Sequence, residues 1–464
     1  MKLNITEEKK YIFLSLLFAL SIGQFTFFEE NHVNLVRSLA NNDYLKLSED
    51  WLANQIDHTP LFTFISTYVI KYTSLLGLNI LHVVLSLICS ISIFYNCKIN
   101  FSNYDFKKIV LFWFLILLLL FKEKSFAYGV AGQYILNPAY QPSMFGVLII
   151  SSLACFAYRR ETLSIILLIL SASIHPTYII QAFFLICGYL MYLLIYKDYK
   201  IFFKISFLSL ILITPIIFYL FTNFYISDLQ VNLEAQSIMA EKRIPHHAMA
   251  STWFSYKDLQ ILLVITLSLC LTYKEKRLFI PLSFVVLITV ILTAIQYFTS
   301  NNFLGLLFPW RSSVYLVPIC SMIVLTKLLI IADNKYLKSD SKLNLYSAVL
   351  AFFLIIFLSM NGIFEGYKSN KNYKTNYPIS NLIKDHEKDI TRMLIPAKLE
   401  QIRLNTGLPI FIDWKSAPFK NDAVIEWYDR IELSNSFFNT SNLEDQKKLI
   451  IQINNKEKIS NVLI

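Results

Sequence analysis

Apolar runs of about 15 to 22 residues recur from one end of this 464-residue chain to the other, each close to the roughly 20 residues that a membrane-spanning helix needs. That pattern fixes the class as an α-helical polytopic membrane protein. Hydrophobic residues make up 55% of the chain and charged residues 16%, and the formal charge of +10 comes largely from Lys and Arg in short loops. Such charge suits anionic lipid headgroups, and no nucleic-acid motif accompanies it. The six cysteines, Cys89, Cys97, Cys155, Cys187, Cys270 and Cys320, lie in or at the ends of apolar segments with no CxxC spacing, which argues against a disulfide framework or a thiolate metal site.

The first apolar run, about Tyr11 to Phe28, follows Lys9 and Lys10 and lacks a cleavage signature, so it reads as a retained signal anchor with the N-terminus inside. The next region, Pro60 to Cys97, reads in two ways: two spans turning at Gly77, or an amphipathic surface helix from Pro60 to Leu76 followed by one span from Leu78 to Tyr95. The second is preferred because Leu61, Ile65, Tyr68, Val69, Tyr72 and Leu76 share one helical face and because it places Lys98, Lys107 and Lys108 inside. Further spans are expected at about 109–121, 144–158, 163–174, 178–196, 205–221, 259–273, 278–298, 312–331 and 345–360. The total is about eleven, with one amphipathic juxtamembrane helix. Residues 1–362 form the membrane domain in this reading.

Hydropathy drops after Met360, and residues 363–464 read as a small α/β domain outside the membrane. Met393–Pro396, Pro409–Trp414 and Ile459–Ile464 are its expected strands. A short helix closes at Gly407, another runs from about Asn421 to Leu433, and a capped helix opens at Ser441. There is no GxGxxG or GxxxxGK[ST], so no nucleotide site is marked, and the cofactor question stays open.

Chemistry points to the outer face. The loop after the first span holds Asp43, Glu49, Asp50 and Asp57 with His58, and carboxylates on insertion scales cost roughly 2.5 to 3.5 kcal/mol at a helix centre, so this cluster must sit in water or in a polar cavity. Asp43 and Asp50 are the candidate general bases; the plainer reading is a solvated loop with acidic caps. Arg243-Ile244-Pro245-His246-His247 lies in a later outer loop. Its adjacent histidines lack an HExxH-like spacing, so a phosphate or sugar contact is favoured over a metal, and no metal ligand is assigned. Phe308-Pro309-Trp310-Arg311 offers Arg311 as a phosphate clamp and Trp310 as an interfacial anchor, or simply an interfacial pair. His175-Pro176 is a helix stop or a further contact, and the turn-rich segment Tyr134–Gln141 is a candidate lining for a sugar pocket. All seven histidines, His32, His58, His82, His175, His246, His247 and His386, fall in outer loops, at outer helix ends or in the tail.

An inner N-terminus, the acidic first outer loop from Asp43 to Asp57, the amphipathic helix opening Thr59-Pro60-Leu61-Phe62, many spans and an outer C-terminal domain together resemble the GT-C class of membrane glycosyltransferases. The fragments around Arg243, Arg311, Asp413-Trp414-Lys415-Ser416-Ala417-Pro418 and Glu426-Trp427 with Arg430 are similar to a bacterial set of such proteins. The resemblance implies a multi-pass protein of the bacterial cytoplasmic membrane that takes a sugar from a polyprenyl-phosphate donor. Asp43 would be the acidic catalytic residue and Asp50 its reserve. No WWDYG-like signature or clear Asp-Glu pair is present. The competing class is a transporter or flippase for lipid-linked sugars, which should carry ionisable groups deep in its spans or inverted repeats; neither stands out.

Overall fold

The computed structural model describes residues 5–22, 34–137, 139–337, 341–375 and 390–463. His32 and His386 lie outside them. Each of the eleven expected spans corresponds to a helix: Ile5–Ile22, Pro60–Asn100, Val110–Glu123, Val147–Ala157, Glu161–Ile174, Ile179–Ile195, Tyr199–Phe224, Tyr256–Thr272, Lys276–Thr299, Ser313–Ala332 and Ser341–Thr375. Six helical stretches are long and apolar enough to cross a membrane by length and composition: 60–100, 176–195, 199–224, 276–299, 302–335 and 345–368. The helices at 147–157 and 161–174 are apolar but shorter.

Lipid is the natural environment for the outside of this bundle. On Tyr199–Phe224 the side chains of Phe203, Phe207, Leu210 and Phe218 are each about two-thirds exposed. An apolar surface of that extent is not stable in water. One core joins the inner faces of these helices, with Trp113, Tyr189 and Tyr315 among its largest fully buried members. The Ile179–Ile195 and Lys276–Thr299 helices approach closely at Gly188, where a Cβ would lie 2.8 Å from the Cα of Pro281.

The Pro60–Asn100 helix contains a break at Ser74, whose φ of 59° and ψ of −164° are not helical. Two helices therefore meet there, within a few residues of the expected junction. The first half points Phe64, Tyr68 and Tyr72 outward and buries Thr63 and Ser66, so its aromatic face looks away from the protein while its small polar face packs inward. Thr59 precedes it and Pro60 occupies its first turn, where a missing N–H costs nothing.

Loops sort to two ends of the bundle. At one end Arg277 donates to the Phe156 carbonyl (2.8 Å) and pairs with Glu161 (2.6 Å), while Tyr104 donates to Asp333 (2.5 Å). These ties collect the loops that hold Lys107/Lys108, Arg159/Arg160, Lys274/Lys276 and Lys335. The opposite end collects the loop at 34–59, the segment 225–255 and the C-terminal unit.

In that unit the three apolar segments expected as strands do lie side by side in parallel. Met393 pairs with Asn461 and Leu394 with Val462, and Met393 bridges to Ile410 on the other side. Strand content is nevertheless minimal, two residues in each paired strand, and the side chains of these segments divide between the cluster around Trp427 and a second one formed by Met393, Ile395 and Ile410. The α/β expectation is thus corrected toward a helical unit with a vestigial sheet. Its helices are Ile402–Thr406, Asn421–Asn439 and Leu443–Lys456. Gly407 ends the first with φ 66°, and Asn442 caps the last by accepting from the Glu444 N–H. A second correction concerns the boundary at residue 362, which falls inside the Ser341–Thr375 helix: hydropathy drops there, but the helix continues as a polar extension.

Candidate functional site

The turn before the Ser313–Ala332 helix decides where the chemistry lies. Phe308 takes a left-handed backbone (φ 49°), and Pro309 opens a short 3-10 turn through Ser312. The Gln181 amide pins the turn by donating to the Phe308 carbonyl (2.9 Å), and Thr289 and Ser312 bond through their hydroxyls (2.7 Å). As a result two consecutive side chains serve different spaces. Trp310 lines an apolar groove and Arg311 a polar cavity.

The groove has a volume of about 410 Å³ and lies between the Tyr256–Thr272, Lys276–Thr299 and Ser313–Ala332 helices, with Ile261, Ile265, Val290, Tyr297 and Trp310 among its walls. Trp253 stacks obliquely on Trp310 at 5.1 Å. The one acid in the wall, Asp258, is used locally: it accepts from the Ser255 N–H and hydroxyl (2.8 and 2.7 Å) in a capping box. What remains is a hydrocarbon-like slot.

The cavity beside it, about 160 Å³, is lined by Arg311, His175, His247, Gln133, Gln141 and Ser143 among others. Arg311 donates to the Nε2 of His175 (3.0 Å) and to the hydroxyl of Thr177. A guanidinium can only donate, so His175 Nε2 accepts and its proton is on Nδ1, a buried atom with no partner among the described residues. His247 Nδ1 lies 2.6 Å from the Ala131 carbonyl, which can only accept; its Nε2 is therefore the free acceptor. Burial, and then His246, hold His247 down at about 4, despite the opposing hydrogen bond to Ala131. Burial, then Arg311 and His58, push His175 well below the usual range. Both rings are neutral at pH 7. Arg311 is accordingly the sole formal charge in the cavity wall, and it has no carboxylate partner among the described residues. Such a site is built for an anion.

The cavity floor comes from a strained turn. Ala131 and Gly132 both have positive φ (56° and 66°), and the turn is fixed by Val130 N–H donating to the Ser313 hydroxyl (3.0 Å) and Gly129 N–H to the Gln133 carbonyl (2.8 Å). A non-glycine residue held left-handed costs on the order of 1 to 3 kcal/mol and persists only when its surroundings fix it. Here the surroundings are Ser313 and His247.

The residues named from sequence separate into three groups. Arg311, His175 and His247 come together in the cavity, and so do Tyr134 and Gln141 from the expected sugar-lining segment; Pro138 of that segment lies outside the described residues. His246 is exposed next to His247, with ring centroids 4.1 Å apart, and is not in the cavity wall. Arg243 turns the other way and donates to the Lys415 carbonyl of the C-terminal unit (2.7 Å). Asp43 is exposed on a left-handed residue (φ 52°) of the loop and does not line the cavity. Asp43 thus shares no cavity wall with Arg311 and His247.

Asp50 has a different use from the one the sequence suggested. It is fully buried, pairs with Arg403 (3.0 Å), and accepts from the Leu52 and Ile410 N–H groups (2.9 and 3.2 Å). Arg403 also pairs with Asp413, itself buried and capping the Ser416 N–H. The Asp50–Arg403–Asp413 triad locks the first loop to the C-terminal unit. Both oxygens of Asp50 are thereby engaged inside the protein. Gln133, Ser143 and Thr177 were not singled out in the sequence; their signal was only proximity to the marked turn and to His175.

Among the described residues no cluster of three or more His, Cys, Asp or Glu suited to a metal is present. The profile of a domain of unknown function, DUF6798, matches residues 377–434, the stretch that carries Arg403, Asp413, Trp427 and Arg430. No curated protein matches the chain.

Proposed function

We propose that this chain is a GT-C-type membrane glycosyltransferase that takes a sugar from a polyprenyl-phosphate donor at the outer membrane face. The observation that carries the reading is the junction at Trp310 and Arg311, where a hydrocarbon-like groove adjoins a cavity whose one charge among the described residues is a guanidinium without a carboxylate partner. An isoprenoid chain suits the groove, and its phosphate suits Arg311, a cation that does not titrate. In the transfer an acceptor hydroxyl attacks the anomeric carbon, the bond from that carbon to the phosphate oxygen breaks, and the phosphate leaves with its charge met by Arg311. The hydroxyl proton goes to a general base. Asp43, water-exposed on the loop of the same end, is the carboxylate to which the resemblance gives that role; Asp50 is committed to Arg403.

We place the protein in a bacterial cytoplasmic membrane with the N-terminus inside, eleven spans and the C-terminal unit outside. Two features support this orientation: the lysine- and arginine-rich short loops gather at one end, and the first loop, the 225–255 segment and the C-terminal unit gather at the other.

The test is reconstitution in liposomes with a polyprenyl-phosphoryl sugar and a panel of acceptors. Sugar transfer by the wild type, lost in Arg311→Ala, is the expected result. No transfer, together with Arg311-dependent movement of the lipid-linked sugar between leaflets, would replace the enzyme by a flippase.

A further inference from the structure

Gln133 is 5% exposed, lines the cavity, and has neither its amide Nε2 nor its Oε1 hydrogen-bonded among the described residues. That is costly, since a buried amide is ordinarily paired. Other buried glutamines are better served: Gln296 Oε1 accepts from the Ala250 N–H (2.8 Å) and its Nε2 donates to the Met249 sulfur (3.5 Å), and Gln181, though its Oε1 has no partner among the described residues, donates through Nε2 to the Phe308 carbonyl (2.9 Å). Gln133 is instead held in place by its backbone alone, through the Val130 carbonyl and the Gly129 N–H, on the strained Ala131–Gly132 turn. Ser143, across the same cavity wall, is 9% exposed, and its hydroxyl is likewise unpartnered.

These groups say more about the occupant than Arg311 does. The ionised phosphodiester that links a sugar to a lipid only accepts hydrogen bonds, so it satisfies the amide donors of Gln133 but never its Oε1. A hydroxyl both donates and accepts, and a pair of neighbouring hydroxyls matches the donor and acceptor of one carboxamide. We infer that the cavity is a combined site, with Arg311 holding the anionic group and Gln133, with Ser143, reading hydroxyls of a sugar attached to it. Gln133 is then the specificity-determining residue for the sugar. This rests on the reading of the site given above only in the nature of the lipid, since the match of hydroxyls to the carboxamide stands for any glycosyl phosphate.

The experiment uses the full chain in detergent and compares wild type with Gln133→Met, which keeps the side-chain shape, and with Ser143→Ala. Three probes are titrated: inorganic phosphate, glucose 1-phosphate with its epimers, and sugar-free polyprenyl phosphate. The expected result is that the wild type binds one glycosyl phosphate at least tenfold more tightly than inorganic phosphate. Gln133→Met should erase that preference and the discrimination between epimers, as loss of a polar reading group does, while leaving inorganic phosphate binding within about twofold. Retained phosphate binding also shows that the variant is folded. If Gln133→Met does not retain it, Ser143→Ala supplies the same comparison. Equal affinity of the wild type for glycosyl and inorganic phosphate, or an unchanged preference in both variants, would overturn the inference and mean that water serves the amide. Failure of polyprenyl phosphate alone to bind would sink the lipid-donor reading and leave the sugar-reading role of Gln133 standing.

Discussion

Trp310 and Arg311 are neighbours in sequence and face separate spaces, the indole against a slot between three apolar helices and the guanidinium into a cavity without an acid. The left-handed Phe308 and the 3-10 turn at Pro309 produce that divergence, and Trp310 Nε1 donating to the His247 carbonyl (3.0 Å) ties it to the loop that supplies His247. An amphiphile with a charged head and a long hydrocarbon tail is the ligand such a junction fits.

The buried triad sets the first prediction. Removing one member of a buried ion pair leaves an uncompensated charge and costs about 3 to 5 kcal/mol. Arg403→Leu and Asp50→Ala should therefore both lower the thermal midpoint of the detergent-solubilised protein sharply and expose the C-terminal unit to proteolysis. An Asp50→Ala protein that is fully stable yet inactive would return Asp50 to the chemistry.

Asp43 should behave in the opposite way. It is exposed with φ 52°, a conformation asparagine tolerates well, so Asp43→Asn should change stability by no more than about 0.5 kcal/mol. Its transfer rate should fall by about 100- to 10,000-fold, the usual contribution of a general base. Thermal unfolding and a sugar-transfer assay on the same preparation separate the two effects. Full activity in Asp43→Asn would remove it from the mechanism.

Much of this fold was legible because its determinants are local. Each apolar run became a helix, and the helix break near the expected Leu76–Leu78 junction, the Gly407 terminus and the Asn442 cap are short-range events. The helix beyond Met360 was not legible, because polar residues continue a helix as readily as they form a loop. Strand lengths failed for another reason: Met393–Pro396 and Pro409–Trp414 are apolar enough for strands, but how far they stay paired depends on partners distant in sequence, Asn461 and Val462 on one side and Ile410 on the other. In the site, residue types in the loops point to Arg311, His175 and His247, which the fold brings into one cavity wall. Nothing local distinguishes Asp43, in solvent, from Asp50, whose partners Arg403 and Ile410 are more than 350 residues away. Gln133 was invisible for the same reason, since an unpaired amide is a property of packing.

Acid should destabilise the protein through histidines that the fold keeps neutral. Burial, then Arg37, hold His58 at about 3, and burial, then His246, hold His247 at about 4, whereas an unfolded chain titrates near 6.5. Between those values the unfolded state binds more protons, so stability is level above about pH 6.5 and declines as pH falls toward 4. Thermal midpoints across that range should show the decline, and His247→Gln, which can still donate to the Ala131 carbonyl, should flatten part of it. A midpoint that does not change between pH 7 and pH 4.5 would contradict this account.

Docking of the C-terminal unit depends on one close approach. A Cβ on Gly407 would lie 2.4 Å from Leu45 Cδ1 and 2.8 Å from its Cβ, and φ is +66°, so Gly407→Val should be disruptive on both counts, while Leu45→Gly beside it removes only the contact. Thermal unfolding should show Gly407→Val well below wild type, with the Leu45→Gly/Gly407→Val double variant recovering in part. No recovery would mean that the backbone conformation accounts for the whole loss.

The most direct test of the central claim is the affinity of the full chain, in lipid nanodiscs, for sugar-free polyprenyl phosphate. Arg311→Ala removes the charge that meets the phosphate, and Val290→Trp fills the groove without touching the cavity. Hydrogen bonds to a charged group are worth about 1.5 to 3 kcal/mol, so Arg311→Ala should weaken binding by roughly tenfold or more. Val290→Trp should weaken the long-chain lipid and leave inorganic phosphate binding unchanged. Wild-type affinity in both variants would contradict the account, because a lipid phosphate that needs neither the guanidinium nor the groove does not bind at this junction.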